Sequence, residues 1–152
     1  MKVKHAAQIF SQRLAATLRL VSQFDTQRRC EGNVEDTAEL LYFFDRLFDS
    51  VNGSTKLPDR GKCLRAGLTD ESDHLDFWNR EALPLLDTMQ FQKRSPRDQS
   101  RPPSLKNWSF ILKNMKSIWS VLKSEDFSDL LTRRLNQDPL ENAFGQLRSF
   151  GA

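Results

Sequence analysis

Apolar residues recur every three or four positions in five stretches of the chain, which is the spacing of one face of an α-helix. Polar loops separate these stretches, and no stretch alternates apolar and polar residues as a strand would. The sequence therefore predicts an all-α fold of four or five helices. They are expected over Val3–Phe24, from Asp36 to Asn52, from Thr69 to about Gln90, after Ser104 to about Leu122, and from Asp138 onwards.

Local signals fix where several of these helices begin, break or end. Asp138 suits the N-cap, Pro139 the first helical position, and Glu141 can return a hydrogen bond to the cap. Pro84 is expected to kink the third helix or divide it in two. Gly53 is expected to end the second helix, because glycine tolerates the left-handed conformation at a helix end.

The periodicity also predicts which side chains are buried. The first helix would bury a stripe through Phe10 and Leu14, and the fourth would bury a stripe of almost strict three-four spacing. The predicted faces are Val3, Ala7, Phe10, Leu14, Leu18 and Val21 for the first helix, Leu40, Phe44, Leu47, Phe48 and Val51 for the second, Leu75, Trp78, Ala82, Leu85, Leu86 and Met89 for the third, and Leu105, Trp108, Leu112, Met115, Trp119 and Leu122 for the fourth.

Composition narrows the possible functions only slightly. The chain has 152 residues, 38% of them hydrophobic, and a net charge of +3, which permits an acidic partner without requiring one. Cys30 and Cys63 lack metal-ligand spacing and are expected to be free thiols. His74 has no second ligand nearby and is expected at the surface or partly buried. Gly61-Lys62 fails the P-loop pattern, because Cys63 replaces the Ser or Thr that would reach magnesium.

Three phrases of the sequence resemble the P element transposases and their THAP-domain-bearing relatives. They are KVKHAAQIFS at residues 2–11, FDSVN at residues 48–52 and LTRRLNQDPLENAFGQLR at residues 131–148. The resemblance implies that residues 1–126 form most of a GTP-binding insertion domain. Residues 127–152 would then begin the returning segment of an incomplete RNase H-like domain, which the last helix would join.

The same resemblance implies a set of nucleotide-binding residues. Lys2 and Val3 would touch the nucleotide, and Ser11 would offer it a hydroxyl. Phe48 would pack on the base, while Asp49 and Asn52 would read its edge, and Asp138 would also lie near the nucleotide. A carboxylate suits guanine, because it can accept hydrogens from both N1 and N2. Without the resemblance, Phe48 is a core residue, Asp49 is solvated and Asn52 marks a helix stop.

Glu141 resembles the third carboxylate of the family's metal-binding catalytic set. DNA strand transfer of this kind uses two divalent metals, here Mg²⁺, held by three carboxylates. The family's other two carboxylates are aspartates before the insertion, so we expect no transposase activity from this chain alone. Ala143 departs from the family, which usually has an aromatic residue before Phe144.

The resemblance further implies transposon DNA as partner, a homo-oligomer at full length, a nuclear location and a GTP that is not hydrolysed. No signal peptide or membrane span is expected. One alternative is a domesticated helical module that binds protein, or DNA backbone through Lys93, Arg94, Arg97 and Arg101, without any nucleotide. Another is an undocked last helix that exposes Phe144 and Phe150.

Overall fold

The computed structural model describes residues 9–24, 33–59, 61–92, 99–136 and 138–149. The helices are α1 (Gln12–Phe24), α2 (Val34–Ser50), α3 (His74–Phe77), α4 (Leu83–Thr88), α5 (Pro103–Ser124) and α6 (Asp138–Ser149). A π-helical turn, Trp78–Ala82, joins α3 to α4, so these form one interrupted helix. The shorter elements are 3₁₀ turns at Cys63–Arg65 and Thr132–Leu135 and a two-residue antiparallel pair, β1 (Phe91–Gln92) with β2 (Gln99–Ser100). The all-α prediction is confirmed.

The chain divides into two compact units, residues Met1–Asp49 and Ser50–Ala152. In the first unit, α1 and α2 form an antiparallel helical hairpin. The rings of Phe10 and Phe44 meet edge to face, with centroids 5.2 Å apart, and Arg19 forms an ion pair with Glu39. Phe10 precedes Arg19 in the chain, but its partner Phe44 follows Glu39, the partner of Arg19. The two helices therefore run in opposite directions.

The start of α1 differs from the sequence prediction. A helix was predicted to run unbroken from Val3, but α1 begins at Gln12, after a non-helical Ser11. The hydroxyl Oγ of Ser11 accepts a hydrogen bond from the N–H of Leu14 at 3.2 Å. Ser11 is thus an N-cap, because its short side chain satisfies a backbone donor that a continuous helix would have bonded internally.

The buried face of α2 is also rotated from the predicted one. Leu47 is buried as predicted, but Leu40 and Phe48 are 41% and 42% exposed, while Leu41 and Phe43 are buried instead. The run Leu40–Phe44 is apolar at every position, so periodicity could not select one face. The packing of Ala38 and Leu41 against Ala15 of α1 makes the selection.

The second unit is built around the interrupted helix and α5. Trp78, Ala82 and Leu86 are fully buried, as are Leu112 and, almost completely, Trp119. The sequence predicted a kink or a division at Pro84, and the helix is interrupted there without being broken in two. The π-helical turn lies immediately before α4, because proline lacks an N–H and its ring excludes the ordinary carbonyl four residues earlier. Helix α5 begins at Pro103 rather than after Ser104, with proline at a position that requires no intrahelical donor.

The sequence of residues 127–135 fits either a short helix or an extended piece, and the segment contains both extended and 3₁₀-helical backbone. Leu130 and Leu68 exchange two backbone hydrogen bonds of 2.9 Å, and a 3₁₀ turn follows at Thr132. The ammonium Nζ of Lys56 lies 2.7 Å from Asp129 Oδ1. This segment therefore pairs with residues 50–68 inside the second unit. The predicted domain boundary after residue 126 stays a prediction.

His74 is fully buried, so the expectation of a surface or partly buried side chain was wrong. Its Nε2 lies 2.9 Å from the carbonyl oxygen of Leu64 and therefore donates to it, while Nδ1 lies 3.0 Å from Ser72 Oγ. Burial lowers the pKa of the His74 imidazole, although the Leu64 carbonyl acts in the opposite direction. The ring is a structural cross-link within the core.

The alternative of an undocked last helix predicts that Phe144 and Phe150 are exposed. Phe144 is 52% exposed on α6, whereas Phe150 lies outside the described residues. Among the helices of the described ranges, none is both long and apolar enough to cross a membrane.

Candidate nucleotide-binding site

The first unit brings three of the predicted nucleotide residues to one end of its hairpin. Ser11 precedes α1, and Phe48 and Asp49 lie in the last turn of α2. Because the hairpin is antiparallel, the start of α1 and the end of α2 share that end. The Phe10–Phe44 contact supports this placement, since Phe10 adjoins Ser11 and Phe44 lies one turn before Phe48.

Ser11 keeps a donor for a ligand. Its Oγ accepts the Leu14 N–H, and a hydroxyl that accepts one hydrogen bond still has its own hydrogen to donate. The Ser11 side chain is half-buried, and its carbonyl accepts from the Ala15 N–H at 3.0 Å. The capping bond therefore restrains the position of the Ser11 hydroxyl.

Phe48 and Asp49 differ in their exposure. The Phe48 side chain is 42% exposed, which is enough to present an apolar surface to a base, and Asp49 is half-buried. Lys2 and Val3, which the resemblance also assigned to the nucleotide, lie outside the described residues.

The second unit brings Asn52 next to the start of α6. The amide Nδ2 of Asn136 lies 3.2 Å from Asn52 Oδ1, joining residues 84 positions apart. Asp138 follows Asn136 by two residues and is the first helical residue of α6, so the helix begins one residue earlier than the predicted start at Pro139. The side chains of Asp138 and Glu141 lie outside the described part of the chain.

Buried polar groups hold the turn that carries Asn52. Trp78 Nε1 donates to Ser50 Oγ at 2.9 Å, and Thr132 Oγ1 accepts from the Gly53 N–H at 2.8 Å. Ser50, Trp78 and Thr132 are fully buried. In a water-free interior such bonds are costly to leave unmade, so the backbone of this turn is fixed from two sides.

One cation of the basic loop that the alternative assigns to DNA backbone, Arg101, already forms contacts within the second unit. Arg101 Nη2 lies 2.9 Å from the Leu86 carbonyl oxygen and 3.1 Å from Asp87 Oδ1. A hydrogen bond from Ser109 is the largest cause that lowers the pKa of Asp87, and Arg101 contributes further. Lys93, Arg94 and Arg97 lie outside the described residues.

A surface cavity of about 490 Å³ lies elsewhere in the second unit, beside the end of α5. Asp70, Trp119, Lys123 and Asp126 are among its described lining residues, and the predicted nucleotide residues are not. Lys123 Nζ lies 2.5 Å from Asp70 Oδ2, and its hydrogen bond is the largest cause that lowers the pKa of Asp70. The described ranges contain no group of three or more His, Cys, Asp or Glu side chains able to hold a metal ion.

Comparison with known proteins gives one family and one fold. Residues 1–63 match the model of the family described as TNP-like, GTP-binding insertion domain. The structure matches a chain of the Drosophila P element transposase strand transfer complex with a TM-score of 0.80 and 25% identity. The match covers 99% of this chain and 32% of that one. No curated protein matches the chain.

The chain is similar to part of a P element transposase. It spans about a third of the length of that transposase chain, at 32%. The residues matched by the family model include six that the sequence assigned to the nucleotide: Lys2, Val3, Ser11, Phe48, Asp49 and Asn52. Asp138 and Glu141 lie beyond the matched residues.

Sequence reasoning missed Thr132 and Asn136 as contributors to this region. The sequence assigns Asn136 no role of its own. No local pattern links it to Asn52, because the hydrogen bond spans 84 residues and depends on how the second unit folds.

Proposed function

We propose that this chain is a transposase fragment that binds GTP as a non-hydrolysed assembly cofactor. The observation that carries the proposal is the match of residues 1–63 to a GTP-binding insertion family. The antiparallel hairpin adds support, because it brings Ser11 to the end that carries Phe48 and Asp49. The proposed site comprises Lys2, Val3, Ser11, Phe48, Asp49, Asn52 and Asp138.

Each side chain has a chemical role in this proposal. Asp49 accepts hydrogens from N1 and N2 of guanine, and adenine offers no such pair. Phe48 stacks on the base, which contributes about 1–3 kcal/mol for an aromatic side chain. Lys2 supplies a cation and Ser11 a hydroxyl to the phosphates.

Glu141 is proposed as one carboxylate of a catalytic set for DNA strand transfer. Such chemistry requires two metal ions held by several carboxylates, and Mg²⁺ prefers oxygen ligands of this kind. Glu141 has the right ligand type, but one carboxylate does not bind two metals. We therefore propose that residues 127–152 belong to an RNase H-like segment whose remaining ligands come from other aspartates. Transposon DNA, a homo-oligomer and a nuclear location follow only from the same proposal.

Calorimetric titration tests the nucleotide proposal directly. The purified chain is titrated with GTP, ATP and xanthosine triphosphate, and the series is repeated on Asp49→Asn. We expect the parent to bind GTP and not ATP. The variant should lose at least about tenfold in GTP affinity and gain preference for xanthine, because an amide can donate to the O2 that replaces the N2 amine.

A matched control is Asp45→Asn, which removes a carboxylate one turn earlier on α2. It should leave the ratio of GTP to xanthosine triphosphate affinity unchanged, which separates base recognition from a general effect of charge. A folded parent chain that binds no nucleotide would contradict the proposal.

A second candidate function, a protein-interaction module, is favoured by an apolar stripe on α5. Phe110 and Val121 are 68% and 62% exposed, and Ile118 lies between them on the same side of the helix at 38%. Grouped exposed apolar side chains are typical of contact surfaces. This candidate becomes the better description if GTP fails to bind.

A further inference from the structure

Besides a long bond of 3.5 Å from Thr132 Oγ1 to the Ser50 carbonyl, three hydrogen bonds connect the segment Thr132–Asn136 to the turn Ser50–Gly53 within the second unit. Thr132 Oγ1 accepts from the Gly53 N–H at 2.8 Å, and the Arg133 N–H donates to the Gly53 carbonyl at 3.1 Å. The third is the bond from Asn136 Nδ2 to Asn52 Oδ1, at 3.2 Å. The first two fix the backbone around Asn52, and the third acts on its side chain.

The third bond selects one of two orientations of the Asn52 amide. An asparagine side chain carries an acceptor oxygen and a donor NH₂ on the same carbon, and turning the amide over exchanges them. With the oxygen held by Asn136, the Asn52 NH₂ occupies the other side of the amide. Turning it over alone would bring two NH₂ groups together and lose the bond, so the orientation of the Asn52 amide is tied to that of Asn136.

We propose that Asn136 is a positioning residue that presents Asn52 to the base as a hydrogen-bond donor to guanine O6. This inference rests on the proposed GTP site. At the position of O6, adenine carries an amino group, which is itself a donor, so a fixed donor at Asn52 would reject adenine.

The experiment compares nucleotides that differ at a single acceptor. GTP, 6-thio-GTP and 7-deaza-GTP are titrated into the parent chain, Asn136→Ala and Asn136→Asp. The sulfur of 6-thio-GTP is a poor acceptor, so the parent should bind GTP about three- to tenfold more tightly than 6-thio-GTP, the effect of one neutral hydrogen bond. It should bind GTP and 7-deaza-GTP alike, because the proposal places no donor at N7.

The two variants should differ in a defined order. A carboxylate at position 136 can only accept, so Asn136→Asp should turn the Asn52 amide over and point its oxygen at O6. GTP affinity should fall further than in Asn136→Ala, and the preference for GTP over 6-thio-GTP should disappear. Comparing two triphosphates cancels any repulsion between the new carboxylate and the phosphates. Asn114→Asp, whose parent amide donates to the Phe110 carbonyl within α5, controls for added charge.

Several outcomes overturn the role of Asn136. A parent chain that binds GTP and 6-thio-GTP equally places no donor at O6 although it does bind GTP. If that chain discriminates only against 7-deaza-GTP, the donor faces N7 instead. Variants that weaken both nucleotides by one factor would indicate that Asn136 acts only through stability. A folded parent that binds no nucleotide removes the proposed function and this role together, and calorimetry of the parent alone identifies that case.

Discussion

Gly53 follows the end of α2 by three residues, and a larger side chain does not fit there. The sequence predicted a left-handed conformation there, but the positive-φ residues of the described chain are Gly61 and Asp126. An added Cβ at Gly53 would lie 2.1 Å from the carbonyl oxygen of Ala66, far inside contact distance. Glycine is required because two backbone segments approach closely, which a sequence pattern does not reveal.

Gly53→Ala should therefore destabilise the chain by about 2 kcal/mol or more, because the Ala66 carbonyl is backbone and cannot rotate away. The clash would also disturb the hydrogen bonds of Gly53 to Thr132 and Arg133. Urea denaturation followed by circular dichroism measures the change in the free energy of unfolding.

Gly145→Ala is the matched control. Gly145 lies in α6, and an added Cβ there meets nothing within 4 Å. This substitution should stabilise the chain by about 0.5–1 kcal/mol, since alanine favours helix and restricts the unfolded chain. Equal effects of the two substitutions would show that the close approach at Ala66 is not a constraint.

At the scale of the element, the end of α5 forms a Schellman motif without glycine. Asp126 has a φ of 61°, its N–H donates to the Lys123 carbonyl at 3.2 Å, and the Phe127 N–H donates to the Leu122 carbonyl at 3.1 Å. This left-handed position usually holds glycine. A carboxylate is further disfavoured here, because the carboxyl end of a helix carries partial negative charge.

Asp126→Gly should raise the free energy of unfolding by about 0.5–1 kcal/mol. Asp126→Asn separates the two causes, because it removes the charge and keeps a side chain that tolerates the left-handed region. Its gain should amount to only a few tenths of a kcal/mol. Both values come from urea denaturation at low ionic strength. No gain from the glycine variant would mean that the Asp126 conformation is not strained.

The elements themselves were largely predictable, and their buried faces were less so. The stripe of α5 from Leu105 to Trp119 is buried or half-buried as expected, although the apolar residues Phe110, Ile118 and Val121 lie exposed beside it. In α2 the apolar run Leu40–Phe44 allows several faces, and packing against Ala15 decides. The interruption before Pro84 followed from proline's missing donor, whereas the cap at Ser11 was overlooked inside a periodic stretch.

For the whole molecule, the sequence could predict candidate site residues only where a local phrase carried them. Phe48, Asp49 and Asn52 stand within five positions, and the family match covers them. Their assignment to a nucleotide stays a prediction. The contacts of Asn52 with Asn136 and of Gly53 with Thr132 join residues about eighty positions apart, at separations of 84 and 79. Tertiary folding creates such pairs, so periodicity and spacing do not predict them.

Two sets of ionisable groups make the stability of the chain depend on pH, in different ranges. Lys56 is the largest cause that lowers the pKa of Asp129, and hydrogen bonds likewise lower those of Asp70 and Asp87. A carboxyl with a lowered folded pKa stabilises above its ordinary value of 3.8 and loses that contribution as the pH falls below it. His74 acts in a higher range, because its ordinary value is 6.5.

Burial lowers the pKa of His74, so below pH 6.5 the imidazole is protonated in the unfolded chain to a greater extent than in the folded chain. Stability should therefore fall as the pH decreases through 6.5 and below it, by at most about 1.4 kcal/mol per pH unit from this one group. His74→Gln should flatten the slope in that range and leave the loss near pH 4 that the carboxylates cause. His5→Gln, which removes the other histidine, is the control and should keep the parent's slope. Urea denaturation across this range measures both, and an unchanged slope in His74→Gln would assign the acid sensitivity to other groups.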